Sequence, residues 1–227
     1  MVNILGANSV SGGYEIDNSL RFNDGDTADL RRTFSSAGNR KLWTWSGWFK
    51  RTTLGGVVDS LFAGFVDVDN RLRFNFHSSD TIEIFGKIGG TTVDIKTTAV
   101  FRDVSAWYHF VWVMDSAQST AANRMKIYVN GVQITSFGTA TYPAQNAESV
   151  INNNIGHFIG QRGDGSSVLD GYLSEMHFIN GVAKAPTDFG EFNDNGVWIP
   201  KAYTGAYGTN GFYLEFKQSG TGTNASG

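Results

Sequence analysis

Apolar and polar side chains alternate with a period of two along most of this chain, and very little of it shows the helical period of 3.6. In the strand predicted at Leu42–Arg51, Trp43 and Trp45 share an apolar face, whereas Trp48 lies on the opposite face among polar neighbours. The segment Tyr108–Asp115 is largely apolar on both faces, which indicates a central strand. The alternation predicts strands at Ser19–Phe22, Leu42–Arg51, Ser60–Phe65, Arg71–His77, Thr81–Gly86, Thr91–Thr97, Tyr108–Asp115, Met125–Val129, Val132–Phe137, Phe158–Gly160, Gly171–Ile179 and Gly211–Phe216.

The segment Ala106–Thr135 carries the clearest local signal, a long strand and a polar loop followed by two strands joined at Asn130-Gly131. An Asn-Gly dipeptide is the strongest short-range signal for a two-residue hairpin, because both residues tolerate positive φ. Further Asn-Gly and Asp-Gly pairs separate the other predicted strands at short intervals. Many short strands with this spacing predict an all-β fold, an antiparallel sandwich of two sheets with jelly-roll connections.

The organisation of the chain favours one domain over two. Its 227 residues suit a single β-sandwich, and no proline-rich or charged linker divides them. We predict an N-terminal arm at residues 1–16 and a single domain at residues 17–218. Residues 219–227 have no side chain that would anchor them to a core, which predicts a flexible tail or linker.

Composition excludes several kinds of site and partner. The chain has no cysteine, so disulfides and thiolate metal sites are absent. Its formal net charge of −3 supplies no field for a phosphate backbone, and we expect no nucleic-acid partner. The first residues contain neither a basic segment nor a long apolar run, so we expect no signal peptide, no membrane partner and synthesis inside the cell.

The order of several motifs resembles the concanavalin A-like, laminin G-type jelly roll. The motifs are SLRFND, WTWSGWFK, AWYHFVWVMD, MKIYVNGVQI, FIGQRG and LDGYLSEMHFINGVA, and the likeness spans about residues 17–190. The resemblance implies a concanavalin A-like lectin or laminin G jelly roll, with a short turn or helix at about Ala185–Phe189. It also implies binding and structural roles more than catalysis.

Catalysis is weighed because the same fold houses glucanases with a Glu-x-Asp-x-x-Glu strand, whose carboxylates serve as nucleophile and acid. Here Glu15 and Asp17 are followed by no third carboxylate at the required spacing, and they precede the first predicted core strand. The four histidines show no metal-type spacing, and no Gly-x-Ser-x-Gly motif is present. The sequence therefore predicts a protein that is not an enzyme.

Both ends of the chain resemble a narrower group. The segments MVNILGANSVSGGYEIDNSLRFN and WIPKAYTGAYGTNGFYLEF are similar to a laminin G-type domain recurrent in virion proteins of tailed bacteriophages, many of them marine. This likeness implies a non-enzymatic structural component of a bacteriophage virion, as an appendage, fibre or capsid decoration protein. The expected partners are other virion proteins of capsid or tail and further copies of the chain, as a homo-oligomer. The expected location is the virion, assembled in the host bacterial cytoplasm.

The alternative is a carbohydrate-binding adhesion module that recognises glycans on the host surface. Aromatic rings suit the apolar face of a sugar, and amide side chains suit its hydroxyl groups. The candidate glycan-binding residues are Trp48, Tyr142, Gln145, Asn152, Asn153 and Asn154. The two functions are compatible, because a fibre domain can also bind sugars.

The resemblance raises one cofactor, calcium, and no other is expected. Laminin G-type domains often hold this ion at the rim of the sandwich, where oxygen atoms from aspartates and loop carbonyls coordinate it. The candidate ligands are Asp24, Asp26, Asp67 and Asp69. None of them belongs to a contiguous calcium loop, and Asp-Gly and Asp-Asn pairs are also ordinary turn formers.

Overall fold

The computed structural model describes residues 13–217 and has sixteen strands in that range, twelve of them at segments where the alternation predicts a strand. The strands are β1 (Leu20–Phe22), β2 (Leu30–Thr33), β3 (Leu42–Arg51), β4 (Asp59–Asp67), β5 (Asn70–Phe76), β6 (Thr81–Ile88), β7 (Thr91–Val100), β8 (Tyr108–Asp115), β9 (Met125–Val129), β10 (Val132–Gln133), β11 (Phe137–Thr141), β12 (Gly156–Ile159), β13 (Gly171–Asn180), β14 (Gly190–Phe192), β15 (Trp198–Pro200) and β16 (Phe212–Leu214). Three-residue 3₁₀ helices lie at Asp24–Asp26, Ala121–Asn123 and Pro186–Asp188. The last of these agrees with the short element predicted at about Ala185–Phe189.

Two seven-stranded antiparallel sheets form the sandwich, as predicted. Sheet A has the order β1-β13-β3-β8-β9-β10, and β16 also pairs with β13. Sheet B has the order β11-β7-β6-β5-β4-β12-β2. The prediction of a central position for β8 is confirmed, because β3 and β9 flank it. Within residues 13–217 no helix has the length and apolar character needed to cross a bilayer.

Aromatic side chains fill the space between the sheets. Trp43, Trp45 and Trp112 are fully buried, and Trp43 meets Trp112 edge to face at 4.5 Å between ring centroids. Phe74 of sheet B stacks against Trp112 at 5.6 Å, which joins the two sheets. Each large ring removes about 150–250 Å² from water, so these rings are a main source of stability in a sandwich without disulfides.

A third layer, residues 182–207, covers most of the outer face of sheet A. The side chain of Trp198 stacks on His109 at 5.9 Å between centroids, and its Nε1–H donates to His109 Nδ1 at 3.0 Å. Phe189 packs with Val111 and Ile179 in a small apolar cluster on the same face. The strands β14 and β15 pair within this layer. This explains why β8 is apolar on both faces: each face is buried against a different layer.

The hairpin predicted at Asn130-Gly131 is present and joins β9 to β10. Asn130 and Gly131 have φ values of 47° and 81°, the left-handed pair that a type I′ turn requires. The Asn130 side chain accepts a hydrogen bond from the backbone N–H of His109 at 2.8 Å, which ties the turn to β8. The edge of the turn lies under Trp198.

Several boundaries differ from the prediction. The strand expected at Val132–Phe137 is two strands, because the chain leaves sheet A after Gln133 and enters sheet B at Phe137. Four short strands were not predicted, because their sequences are polar, end in proline or carry no alternation. They are Leu30–Thr33, Phe137–Thr141, Gly190–Phe192 and Trp198–Pro200.

Part of the predicted domain organisation lies outside the described residues. This holds for residues 1–12 of the predicted arm and for the tail predicted at residues 219–227. Within the rest of the arm, the hydroxyl of Tyr14 donates to Glu175 Oε2 at 2.8 Å. The arm therefore contacts sheet A from Tyr14 onward.

A buried ion cluster lies at one end of the sandwich. Arg51 is fully buried, donates to Asp80 at 3.0 Å and to the carbonyl of Phe101 at 2.8 Å, and lies over the ring of Phe76. Asp59 is 1% exposed and 3.8 Å from Arg51. Burial raises the pKa of Asp59 to about 7, against the opposing attraction of Arg51.

We expect Asp59→Asn to reveal this titration. A carboxyl whose pKa is raised on folding adds stability below its unfolded pKa of 3.8, and that stability is lost as the pH rises to about 7. Between pH 5 and pH 8 the parent should therefore lose about 2.5 kcal/mol relative to the variant. Urea unfolding of both proteins at both pH values measures the difference. A difference that does not change with pH would show that Asp59 is ionised throughout.

Candidate functional site

The third layer packs on sheet A and leaves the outer face of sheet B without such a cover. Strand alternation directs Leu72, Phe74, Ile82 and Ile84 into the core and their neighbours outward. Seven of the outward side chains are charged, and they lie beside the aromatic rings of Phe65, Phe85 and Phe158. Five are cationic and two are carboxylates, namely Arg31, Arg71, Arg73, Lys87 and Lys96 against Glu83 and Asp94. Arg31 pairs with Asp29 and Lys87 pairs with Asp69, so among the described residues the cations of this face that form no ion pair are Arg71, Arg73 and Lys96.

Cross-strand register places an arginine at the centre of this face. Arg73 of β5 lies opposite Phe85 of β6 and Ala63 of β4. The guanidinium of Arg73 covers the ring of Phe85 at 5.0 Å from its centroid. Further along the same row, Arg31 covers the ring of Phe158 at 5.2 Å. The outward rings of Phe85 and Phe158 thus carry a cation on one side. A third outward ring, Phe65, lies opposite Arg71.

The loop after β12 adds a third arginine. Gly163 has φ of +100° and lies against Phe158, so closely that a Cβ atom there would be 2.7 Å from the ring. This close approach folds the loop onto the sheet and brings Arg162 to the same shallow depression as Arg71 and Arg73. We call Arg71, Arg73 and Arg162 the arginine cluster. Gly64 and Phe85 complete the depression.

Carboxylates balance only part of the positive charge of the arginine cluster. Burial and the proximity of Arg162 lower the pKa of Arg73. Among residues 13–217, neither Arg71 nor Arg73 forms an ion pair, and the buried Nε of Arg71 has no hydrogen-bond partner. Arg73 Nε donates to Asn75 at 3.0 Å, and Arg162 Nε donates to Asp164 at 2.9 Å. Unsatisfied buried donors are costly, at about 1–3 kcal/mol each, so a partner for the Arg71 Nε–H would stabilise this surface.

Trp48 does not provide the predicted aromatic platform. It is 7% exposed and packs on His109 at 4.9 Å between ring centroids, within the region that the third layer covers. The prediction is wrong because the residues that cover this ring lie far along the sequence. One corner of the face remains partly open, where Tyr172 and Trp107 meet and Arg21 lies over Tyr172 at 5.3 Å.

Asn152 is also unavailable to a ligand, because it is fully buried in a structural network. Its side chain donates to the carbonyl of Asn39 at 2.9 Å and to Asn180 at 2.6 Å, and it accepts from Asn210 at 3.0 Å. Asn180 pairs with Trp43, five residues before Trp48 on β3. The two predicted residues are therefore separated by about 17 Å along the strand.

The other predicted glycan residues are accessible but scattered. Asn153 is half-buried and Asn154 is exposed in the turn before β12. Gln145 is exposed and donates to the carbonyl of Ala117 at 3.1 Å. Tyr142 lines a cavity of about 100 Å³ with Met125 and Phe137. Small-molecule sites are about 300–1,000 Å³, so this cavity is too small for a sugar ring held in a pocket.

The four predicted calcium ligands lie in two separate places. Asp24 lies close enough to Asp59, the first residue of β4, to raise the pKa of Asp59. Asp67 is the last residue of β4, about 26 Å from Asp59 along the strand. Asp67 instead stabilises its own turn, accepting from the backbone N–H of Asp69 at 2.8 Å. Within residues 13–217, no three His, Asp or Glu side chains converge to hold a metal ion.

A serine and a histidine form a hydrogen bond inside the protein, but its direction does not suit nucleophilic catalysis. Ser46 Oγ is 2.9 Å from His109 Nε2, and both residues are buried. Trp198 Nε1–H can only donate, so His109 Nδ1 accepts and its proton resides on Nε2. His109 therefore donates to Ser46 and does not act as its base. Burial lowers the pKa of His109 to about 3, which keeps the ring neutral.

Residues 17–187 match the family described as the concanavalin A-like lectin/glucanases superfamily. No characterised protein matches the chain by sequence. Among solved structures, the heptameric SAP-like pentraxin of Limulus polyphemus is similar at a TM-score of 0.49 and 16% identity, over 76% of this chain and 75% of that one.

Two longer proteins contain a similar domain. Tailspike protein 2 of Escherichia coli O157:H7 bacteriophage CAB120 gives a TM-score of 0.53 at 16% identity, over 75% of this chain and 23% of that one. A variant of NanB sialidase from Streptococcus pneumoniae gives a TM-score of 0.52 at 16% identity, over 77% of this chain and 28% of that one. The chain thus spans about a quarter of each, and identities this low show the fold alone. The family match covers most of the chain, and the protein belongs to the concanavalin A-like lectin/glucanases superfamily.

Proposed function

We propose that this chain is a non-catalytic glycan-binding domain that holds a polysaccharide on the outer face of sheet B. The observation that carries the proposal is an uncovered polar face with a partly buried arginine cluster whose donors are not all satisfied within residues 13–217. Sugars present many hydroxyl and charged oxygen atoms, which match such donors. The buried orientation of Ser46 and His109 supports a role without catalysis.

The shape of the face favours an extended ligand over a small molecule. The depression at the arginine cluster has a cavity volume of about 0 Å³, so it is a surface feature and not a pocket that engulfs a small ligand. The row of outward side chains continues across the sheet from Asp94 through Arg73 to Arg31. A polysaccharide lying along this row would contact several side chains at once, and repeated weak contacts would supply the affinity.

A glycan array probed with the purified chain tests the proposal. We expect binding to at least one class of bacterial surface polysaccharide, and we expect it to persist in EGTA because the predicted calcium ligands lie apart. Binding that EGTA abolishes would favour the calcium hypothesis. The absence of binding to every glycan, with and without calcium, would overturn the proposal.

A second candidate function is a structural component of a bacteriophage virion, where this domain would contact capsid or tail proteins and further copies of itself. Its support is the resemblance of both chain ends to phage virion domains and the presence of this fold in a tailspike protein. The two functions are compatible in one appendage. Mass spectrometry of purified particles tests the second function, and absence of the chain from virions would remove it.

A further inference from the structure

We propose that the polysaccharide is acidic, and that its carboxylate or sulfate groups bind to the arginine cluster. This inference rests on the proposed function of the same face and names its ligand class. The observation behind it is the juxtaposition of Arg71, Arg73 and Arg162 at one depression, where the first two form no ion pair with any described residue. Three features of this surface favour acidic sugars over neutral ones as its ligand.

The first feature is electrostatic. Arg71 and Arg73, which form no ion pair with a described residue, meet Arg162, whose charge Asp164 partly balances. Burial and the proximity of Arg162 lower the pKa of Arg73. Water screens such charges less as burial increases, so their repulsion persists. An anionic group placed among them would relieve the repulsion and gain attraction at the same time. The chain has a net charge of −3, so two neighbouring arginines that form no ion pair with a described residue are not a consequence of composition.

The second feature concerns the aromatic rings. Neutral sugars are commonly held by stacking their apolar faces on exposed rings. On this face, Arg73 covers the ring of Phe85 and Arg31 covers the ring of Phe158. At these two rings the outermost groups are guanidinium planes, and the third outward ring, Phe65, lies beside Arg71. Such planes recognise carboxylate and sulfate oxygens through paired N–H donors, a contact that a hydroxyl group does not match.

The third feature is spacing. Arg71 and Arg73 are two residues apart in β5, so their side chains leave the same face about 6.5 Å from each other. Arg162 reaches the same depression from a separate loop. The cluster can thus hold more than one oxygen of a single acidic group, or two acidic groups on one chain. The buried Nε of Arg71, which has no partner among residues 13–217, supplies a further donor.

The experiment compares three polymers with one backbone: dextran, carboxymethyl-dextran and dextran sulfate. Calorimetry is carried out with the parent chain, with Arg71→Gln/Arg73→Gln and with Lys126→Gln/Lys201→Gln. The lysine variant removes the same charge from β9 and from the segment after β15, outside the candidate face. We expect the parent to bind the carboxymethylated or sulfated polymer at least tenfold more tightly than dextran. The affinity for the acidic polymer should fall at least tenfold in the arginine variant and less than twofold in the lysine variant.

The outcomes separate this inference from the proposed function. Equal losses in the two variants would indicate general charge attraction and overturn the inference. If the arginine variant keeps full affinity for a glycan identified on the array, the face still binds glycans but the acidic class is wrong. Binding to no glycan and no polymer removes both proposals.

A measurement on the unaltered chain tests the inference even if the variants do not fold. In a protein labelled with ¹⁵N-arginine, the side-chain Nε–H signals of Arg71, Arg73 and Arg162 are followed during titration with carboxymethyl-dextran and dextran sulfate. We expect these three signals to shift before those of Arg124, which donates to backbone carbonyls on the other side of the sandwich. Uniform small shifts at all arginines, or none, would contradict the assignment.

Discussion

We expect Gly131→Val to lower the free energy of unfolding by about 4 kcal/mol, measured by urea denaturation. The backbone at Gly131 has φ of +81°, which strains a β-branched residue by about 1–3 kcal/mol. A Cβ atom there would also lie 2.4 Å from the ring of Trp198. Displacing this ring adds an overpacking cost of about 1–3 kcal/mol. The change should also shift tryptophan fluorescence, because Trp198 must move.

Gly196→Val is the matched control for this prediction. Gly196 has φ of +72°, but none of the described residues comes within 4 Å of the point that a Cβ atom would occupy there. It should therefore show only the backbone strain, about 1–3 kcal/mol, with unchanged fluorescence. Equal losses at the two glycines would mean that Trp198 does not lie on the hairpin, and the third layer would then be misplaced.

Acid should destabilise the protein through two buried histidines. Burial lowers the pKa of His109 to about 3 and that of His157 to about 4, and His157 Nε2 accepts from the backbone N–H of Asn152 at 2.9 Å. The unfolded chain binds protons near pH 6.5, whereas the folded chain does not, so stability falls as the pH drops below 6.5. From pH 7.5 to 4.5 each histidine accounts for about 2.5 kcal/mol.

The two histidines are best tested in the Asp59→Asn background. Protonation of Asp59 over the same range would offset about 3 kcal/mol in the parent. With Asn at this position the loss from pH 7.5 to 4.5 should reach about 5 kcal/mol, and adding His157→Gln should reduce it by about half. Urea unfolding at the two pH values gives the losses. A loss below about 1 kcal/mol in this background would show that neither histidine is held neutral.

The fold was largely predictable because its signals are local. Alternation and turn residues act over a few positions, so Leu42–Arg51, Tyr108–Asp115 and the hairpin at Asn130-Gly131 were predicted with the bounds that the structure has. The third layer was not predictable in this way. Its contacts join Trp198 to His109, 89 residues earlier, and no local pattern encodes such a pairing. The apolar outer face of β8 was the one indication of it.

The candidate site was mostly missed for a related reason. Trp48 and Asn152 were chosen by residue type, but long-range packing buries both. The arginines at positions 71 and 73 did leave a signal, since Arg-Leu-Arg places two cations on one face of a strand. Arg162 left none, because a loop brings it to this face only after the sheet has formed. Charges repeated at a spacing of two in a predicted strand therefore merit the same attention as aromatic residues.

The central claim is that the outer face of sheet B holds a polysaccharide. Nuclear magnetic resonance of the ¹⁵N-labelled chain, titrated with the best ligand from the glycan array, tests it most directly. The account predicts that amide signals of β4 to β7 and of the loop around Arg162 shift together, with little change elsewhere. Shifts confined to the corner at Tyr172, to the cavity at Tyr142 or to the third layer would contradict it.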